Sequence, residues 1–276
     1  MHNAINFHNA SVDDILSLDK IRASLQRMEE SIVFRVIERA QYSHNARMYE
    51  EGAFPELREK EHWTGTWLMY LIQETESMPD EHPFTSREHH PSPILRPLDY
   101  PQVLHPHHVN VSKEILDFYV NDTVPRVTSM HGDKSDDGNY GSAAMCDIDA
   151  LGSIARRIYF GMFVSEAKFR ADPAAFIPHI QSRNAEALAA LITKPAVEKV
   201  LLARVAQKAE VYGQDLNQTS PDPSSMQRKI DAGDIVRLYE DFIIPLTKKV
   251  EVDYLLERSL DGLSEAEVAT LAHPSS

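Results

Sequence analysis

Residues 156–169, RRIYFGMFVSEAKF, set Arg157 and Lys168 eleven positions apart on a largely apolar segment. At ~100° per residue, eleven steps fall within roughly 20° of three full turns, so both cations share one helix face. A guanidinium offers a carboxylate two parallel donors, and an ammonium offers a point charge. The pair therefore suits a small anion. Gly161 lies between them without side-chain bulk and is expected to leave room for that ligand. Glu166 is two residues from Lys168 and does not face it. Taken alone, the pair also reads as two cations snorkelling at a boundary.

Three other segments add polar groups beside apolar stripes. PLTKKVEVDYLL (245–256) places Thr247 and Glu251 at i,i+4, on one face. TKPAVEK (193–199) opens a helix at Pro195, a residue suited to a first turn, and puts Glu198 in that turn. Arg22 lies beside the apolar stripe of the first long helix. Each alone reads as a surface or boundary residue. Together they supply two or three cations, a hydroxyl and two carboxyls for one site inside a bundle.

The elements that must position these residues are helices. From Asp14 to Tyr42 the apolar residues recur at steps of three and four, which predicts one long amphipathic helix. A second is expected over about 61–76, with Trp63, Trp67, Leu68 and Leu71 inward. Seven prolines in 79–110 exclude regular helix from most of that stretch. Helix resumes near Ser112, and the polar run 131–142 interrupts it. A long helix is expected over 142–169, then shorter ones over 172–181, 183–192 and 195–212. Residues 214–225 read as a loop. Asp231 or Asp234 caps a last helix reaching about Leu260. Strand alternation is not evident. The expectation is an all-α, single-domain helical bundle over 1–276, with tails at 1–11 and 260–276.

The 276 residues carry 42 Asp+Glu against 28 Lys+Arg, a formal net charge of −14. That balance argues against a nucleic-acid partner and against an anionic membrane surface. Any anionic ligand must then be held by a local cluster of cations. A single cysteine, Cys146, allows no intrachain disulfide. The first residues lack a secretory pattern and no apolar run reaches membrane-spanning length, so a cytoplasmic location is expected.

Arg22 in LDKIRASLQRMEESIVFRVIERAQY, the stretch RRIYFGMFVSEAKF, VEKVLLARVAQKAEVYG (197–213) and IIPLTKKVEVDYLL closely resemble the all-helical chorismate mutases, in their eukaryotic, fungal-type branch. PDEHPF (79–84) and YGSAAMCDIDALGSIARRI (140–158) extend the resemblance across roughly residues 12–258. It implies the rearrangement of chorismate to prephenate, a [3,3] shift on the route to phenylalanine and tyrosine. It implies no cofactor and no metal, and a homodimer. Such an enzyme holds a flexible dianion in a compact conformer and stabilises charge growing on the ether oxygen. By the same resemblance, Arg22 and Arg157 bind carboxylates, and Lys168 reaches a carboxylate and the ether oxygen. Thr247 donates to a carboxylate, Glu198 accepts from the ring hydroxyl, and Glu251 is the second ether-oxygen partner. Glu251 can serve there only as a donor, hence protonated, as burial among apolar walls permits.

Two departures stand out. Position 194 carries Lys194 where relatives have an amide or acid, and no catalytic role is assigned to it. The regulatory site of fungal relatives pairs a glycine–serine loop with two adjacent arginines. The loop is matched here by Gly138, Asn139, Gly141 and Ser142, which makes Asn139, Gly141 and Ser142 candidate effector residues. The arginine pair is missing from YLIQETESMPDEHPF, and Asp231 stands in place of a threonine, so weak or absent tyrosine inhibition is expected. His89, His90, His105, His107 and His108 read as loop histidines rather than a metal site, and Cys146 as a structural thiol. The Trp63–Leu71 region is an expected subunit interface. The alternative to an enzyme is a catalytically silent helical dimer acting as a binding module.

Overall fold

The structure, a computed structural model, describes residues 10–76, 84–86, 88, 101–132, 135–215, 228–258 and 260. The expected tails lie almost wholly outside these residues, as do His89, His90 and most of the 214–225 loop.

Among the described residues the regular structure is helical, with one isolated bridge between Gln214 and Arg228. The helices are α1 (Val12–Ile15), α2 (Leu18–Arg39), α3 (Pro55–Glu61), α4 (Trp67–Thr75), α5 (Ser112–Phe118), α6 (Val124–Val127), α7 (Tyr140–Tyr159), α8 (Gly161–Ala171), α9 (Pro173–Gln181), α10 (Ala185–Ile192), α11 (Pro195–Tyr212), α12 (Ala232–Arg237) and α13 (Ile244–Glu257). Two π-helical turns, Tyr119–Thr123 and Leu238–Ile243, join α5 to α6 and α12 to α13.

The sequence reading places α9, α10 and α11 closely and joins several breaks that the chain in fact makes. Expected helix 14–42 is two helices, because the Ser11 side chain caps α1 and α2 starts afresh after Ser17. Expected helix 61–76 is α3 and α4. His62 sits at a left-handed φ of 57°, and the Thr66 hydroxyl then caps α4 by accepting from the Met69 N–H. Trp63 falls in the connector, half-buried rather than inward. Expected helix 142–169 is α7 and α8, separated at Phe160. Asp231, not Asp234, caps the last run, accepting from Gly233 N–H at 2.8 Å.

α2 and α7 form the centre. α2 buries Ile32, Val33, Val36 and Ile37, and α7 offers Ala143, Ala144, Ala150 and Ala155, small residues that let the two backbones come close. Burial of each large aliphatic side chain contributes about 1.5–3 kcal/mol. Three buried ion-pair networks fix the register. Arg39 meets Asp147 at 2.6 Å; its remaining N–H groups bond the carbonyls of Tyr42, Ser43 and His44, and Tyr49 and Tyr119 donate to Asp147. Glu166 on α8 receives Arg258, Arg170 and Tyr254, which ties α8 to the end of α13. Glu29 on α2 is held by Arg204 through two bonds of 2.6 and 2.8 Å, and by Lys208, which joins α2 to α11. Each buried charge of these three networks is partnered, the condition under which such pairs are tolerated.

Candidate active site

Arg157 ends α7, Lys168 lies in the last turns of α8, and Thr247 and Glu251 lie one turn apart on α13. α8 packs along α13. A Cβ at Gly161 would stand 2.9 Å from Thr247 Cγ2 and 3.0 Å from Glu251 Cγ. This corrects the expectation that Gly161 makes room for ligand: the space is filled by α13. The missing side chain brings Thr247 and Glu251 against the helix that carries Lys168.

Arg157 is 5 % exposed, and its Nε has no hydrogen-bond partner among the described residues. Glu251 is 7 % exposed, and burial pushes its carboxyl up to about 7. The charges of Lys168, Arg157 and Lys248 oppose that rise, and Glu198 adds to it. The two cations therefore converge on one carboxyl. Lys168 is half-buried, and burial lowers its ammonium pKa; Glu251 counters this, while Lys194 and Arg22 lower it further. Its Nζ donates to the Ile192 carbonyl at 2.6 Å, at the end of α10. The Thr247 hydroxyl donates to Ile243 O at 2.6 Å.

Glu198 and Arg22 stand at the edge. Glu198, half-buried in the first turn of α11, is bridged to Lys248 at 2.8 Å. Arg22 is exposed over 60 % of its side chain and pairs with Asp19 at 3.1 Å, outside the buried group, though its charge reaches Lys168. The neighbouring Ile21 is fully buried against Phe160 and Ala167, which holds the start of α2 beside α8. Lys194 is exposed at the start of α11 and joins Arg22 in the same cationic rim. Asn139, Gly141 and Ser142 are exposed at the opposite end of α7. Fifteen residues separate Ser142 from Arg157, about 22 Å along the axis.

Two nearby groups escape a sequence reading. Lys248 is the second cation of a Lys-Lys pair and looks like a solvated neighbour of Lys249. Tyr239 is fully buried with an unpartnered hydroxyl, close enough to feel the charges of Arg157, Glu29 and Arg204. The i,i+3 spacing of Lys248 and Glu251 was the signal available for the first; for the second there was none. The histidines at 105–108 form no group of three metal-type ligands among the described residues. The thiol of Cys146 is half-buried, and burial raises its pKa.

The arrangement is a largely buried group of two cations, a hydroxyl and a carboxyl whose pKa burial raises to about 7, with a polar rim. It presents donors to a compact anion and contains no nucleophile poised by a base. Such a group suits an all-helical enzyme that acts by clamping and charge stabilisation. No family model matches the sequence. Chorismate mutase 3, chloroplastic, of Arabidopsis thaliana is 41% identical over 260 residues, covering 89% of this chain and 78% of the relative. The chorismate mutase of Schizosaccharomyces pombe is 40% identical over 258 residues, covering 90% and 99%. Among solved structures, the Candida albicans chorismate mutase in complex with L-Trp superposes with a TM-score of 0.85 at 37% identity, covering 96% of this chain and 99% of that one. AtCM1 with tyrosine bound in its allosteric site gives 0.73 at 39%, covering 87% and 96%. This chain belongs to the chorismate mutase family.

Proposed function

We propose that the chain rearranges chorismate to prephenate at the group formed by Arg157, Lys168, Thr247 and Glu251, with Glu198 and Arg22 completing it at the rim. One C–O bond breaks and one C–C bond forms within the same molecule, so no proton, electron or group need leave or arrive. Arg157 and Lys168 take the carboxylates, and Thr247 turns its hydroxyl from Ile243 to help. Lys168 and the protonated Glu251 donate to the ether oxygen as its charge grows. Glu198 accepts from the ring hydroxyl, and Arg22 swings from Asp19 to close the rim.

The observation that carries this reading is the Arg157 guanidinium, buried with an unpaired Nε beside a buried carboxyl of raised pKa. Leaving a buried donor unsatisfied costs about 1–3 kcal/mol, which a silent scaffold has no reason to bear. The test adds purified protein to chorismate, follows the loss of its absorbance and identifies the product. Prephenate is expected. Released pyruvate would mean a different chorismate reaction, and no consumption would mean a binding module. Arg157→Ala should lower kcat/KM by about 10² or more, by analogy with the loss of one preorganised oxyanion donor.

A cytoplasmic homodimer belongs to the same proposal. Its support is the half-buried aromatic face formed by Trp63, Trp67 and Tyr70, and one free cysteine. Sedimentation of the purified chain should give twice the mass of one chain.

A further inference from the structure

We propose that Lys248 is a positioning residue of this site: it anchors Glu198 to α13 and keeps the site's two carboxyls in separate roles. The inference rests on the reading of Glu198 and Glu251 given above and adds a residue to it. Lys248 Nζ meets Glu198 at 2.8 and 2.9 Å through its two oxygens. This bond spans from α13 to the first turn of α11, across the face where Thr247 and Glu251 lie. Lys248 precedes Glu251 by three residues, so the two are neighbours on the helix surface. One cation thus touches the rim carboxylate directly and acts on the buried carboxyl from the side.

The division of labour follows from this placement. A carboxylate bonded to an ammonium still has lone pairs with which to accept a hydrogen bond from a hydroxyl. A carboxyl sunk among apolar walls stays protonated and can donate. The charged groups acting on Glu251 are Lys168 from α8, Arg157 from α7, Glu198 from α11, and Lys248 from its own helix. The acids of α10 and of the π turn, Glu186, Glu240 and Asp241, are exposed. Removing Lys248 takes one cation from this balance and frees Glu198 to move. Removing the charge of Glu198 takes one anion away.

The two ends of the bridge therefore push the pH profile in opposite directions, which a merely structural bridge would not do. The experiment measures kcat and KM against pH for the wild-type chain, Lys248→Met, Lys248→Arg, Glu198→Gln and Glu251→Gln. In Lys248→Met the alkaline limb of kcat/KM should move up by about half a pH unit or more, with KM raised several-fold. Lys248→Arg should restore both. Glu198→Gln should move the limb down, and it tests the bridge from the other side should Lys248→Met fold poorly. A limb that stays in place in both Lys248→Met and Glu198→Gln, yet vanishes in Glu251→Gln, overturns the role of Lys248 alone. A limb that survives Glu251→Gln overturns the assignment of Glu251, and this proposal with it.

Discussion

Glu251 is the residue whose environment has the sharpest consequence. Burial raises its carboxyl to about 7, from an ordinary value of 4.5. If it donates to the ether oxygen, the working form is protonated, so activity should be high below pH 7 and fall as pH rises through 7. Glu251→Gln keeps a donor that does not titrate, and its profile should be flat over that interval, at lower kcat. Stability follows the same group with its own sign. The folded state binds this proton more tightly than the unfolded chain does. Its contribution is therefore complete below pH 4.5 and lost as pH climbs to about 7. At ~1.4 kcal/mol per unit the loss is at most about 3 kcal/mol. Denaturant titrations at pH 5 and pH 8 should show Glu251→Gln losing less stability between the two than wild type. Equal losses would place the raised pKa elsewhere. The residue types of this site were legible from spacing, since Arg157/Lys168 and Thr247/Glu251 are pairs on single faces. Arg22 was less legible: its position beside the apolar stripe of α2 says nothing of the Asp19 it pairs with at the surface.

Among the elements, the contact of α8 with α13 decides the geometry, and Gly161 sets how close it is. A methyl group there would press on Thr247 Cγ2 at 2.9 Å and Glu251 Cγ at 3.0 Å, both anchored by their helix backbone rather than at the end of a long chain. Gly161→Ala should cost about 1–3 kcal/mol of stability by overpacking. It should also lower kcat more than it raises KM if, as proposed, the displaced groups act on the reacting atoms. Unchanged kcat with normal stability would show that α13 has slack there. This contact marks the limit of what a sequence tells about elements. Apolar period and caps locate α9, α10 and α11, because each is bounded by a proline, an asparagine or an aspartate whose side chain or ring acts locally. The break at Phe160 has no such side-chain cap and arises from packing, whereas the one at residues 62–66 carries a local marker, the Thr66 hydroxyl cap, that the apolar period runs across. The π turns before Pro125 and Pro245 are similar. Proline cannot donate its own helix bond, and the chain absorbs the mismatch in the preceding turn, which a reading of periodicity passes over. A glycine midway between two cations looked like space for ligand, and only the neighbouring helix shows that the space is already taken.

At the scale of the whole molecule, one helix spans the distance between the proposed active site and the candidate effector residues. α7 begins at the exposed Asn139, Gly141 and Ser142 and ends at Arg157. A ligand at the first end could act on the second only by shifting α7 against α2, α4, α5 and α13, its packing partners. The buried Arg39–Asp147 pair, fully bonded on both sides, resists such a shift near the middle of the helix. Coupling would need a ligand that binds the two positions of α7 with different affinity. At the loop end the acceptors are acidic: Asp136 takes the Tyr140 hydroxyl and the Gly138 N–H, and Asp137 takes the Asn139 N–H. The amides that would greet an amino-acid carboxylate are thus partly engaged, and YLIQETESM lacks the adjacent arginines that would add charge. Added tyrosine should therefore leave KM for chorismate unchanged within error, and titration calorimetry should detect no binding at the same concentrations. A several-fold rise in KM would mean that this end of α7 still recognises tyrosine through cations outside the loop. Swapping Asn139 or Ser142 for a bulkier residue should then remove the rise without altering kcat in the absence of effector, because neither side chain reaches the far end of the helix, where the proposed chorismate site lies.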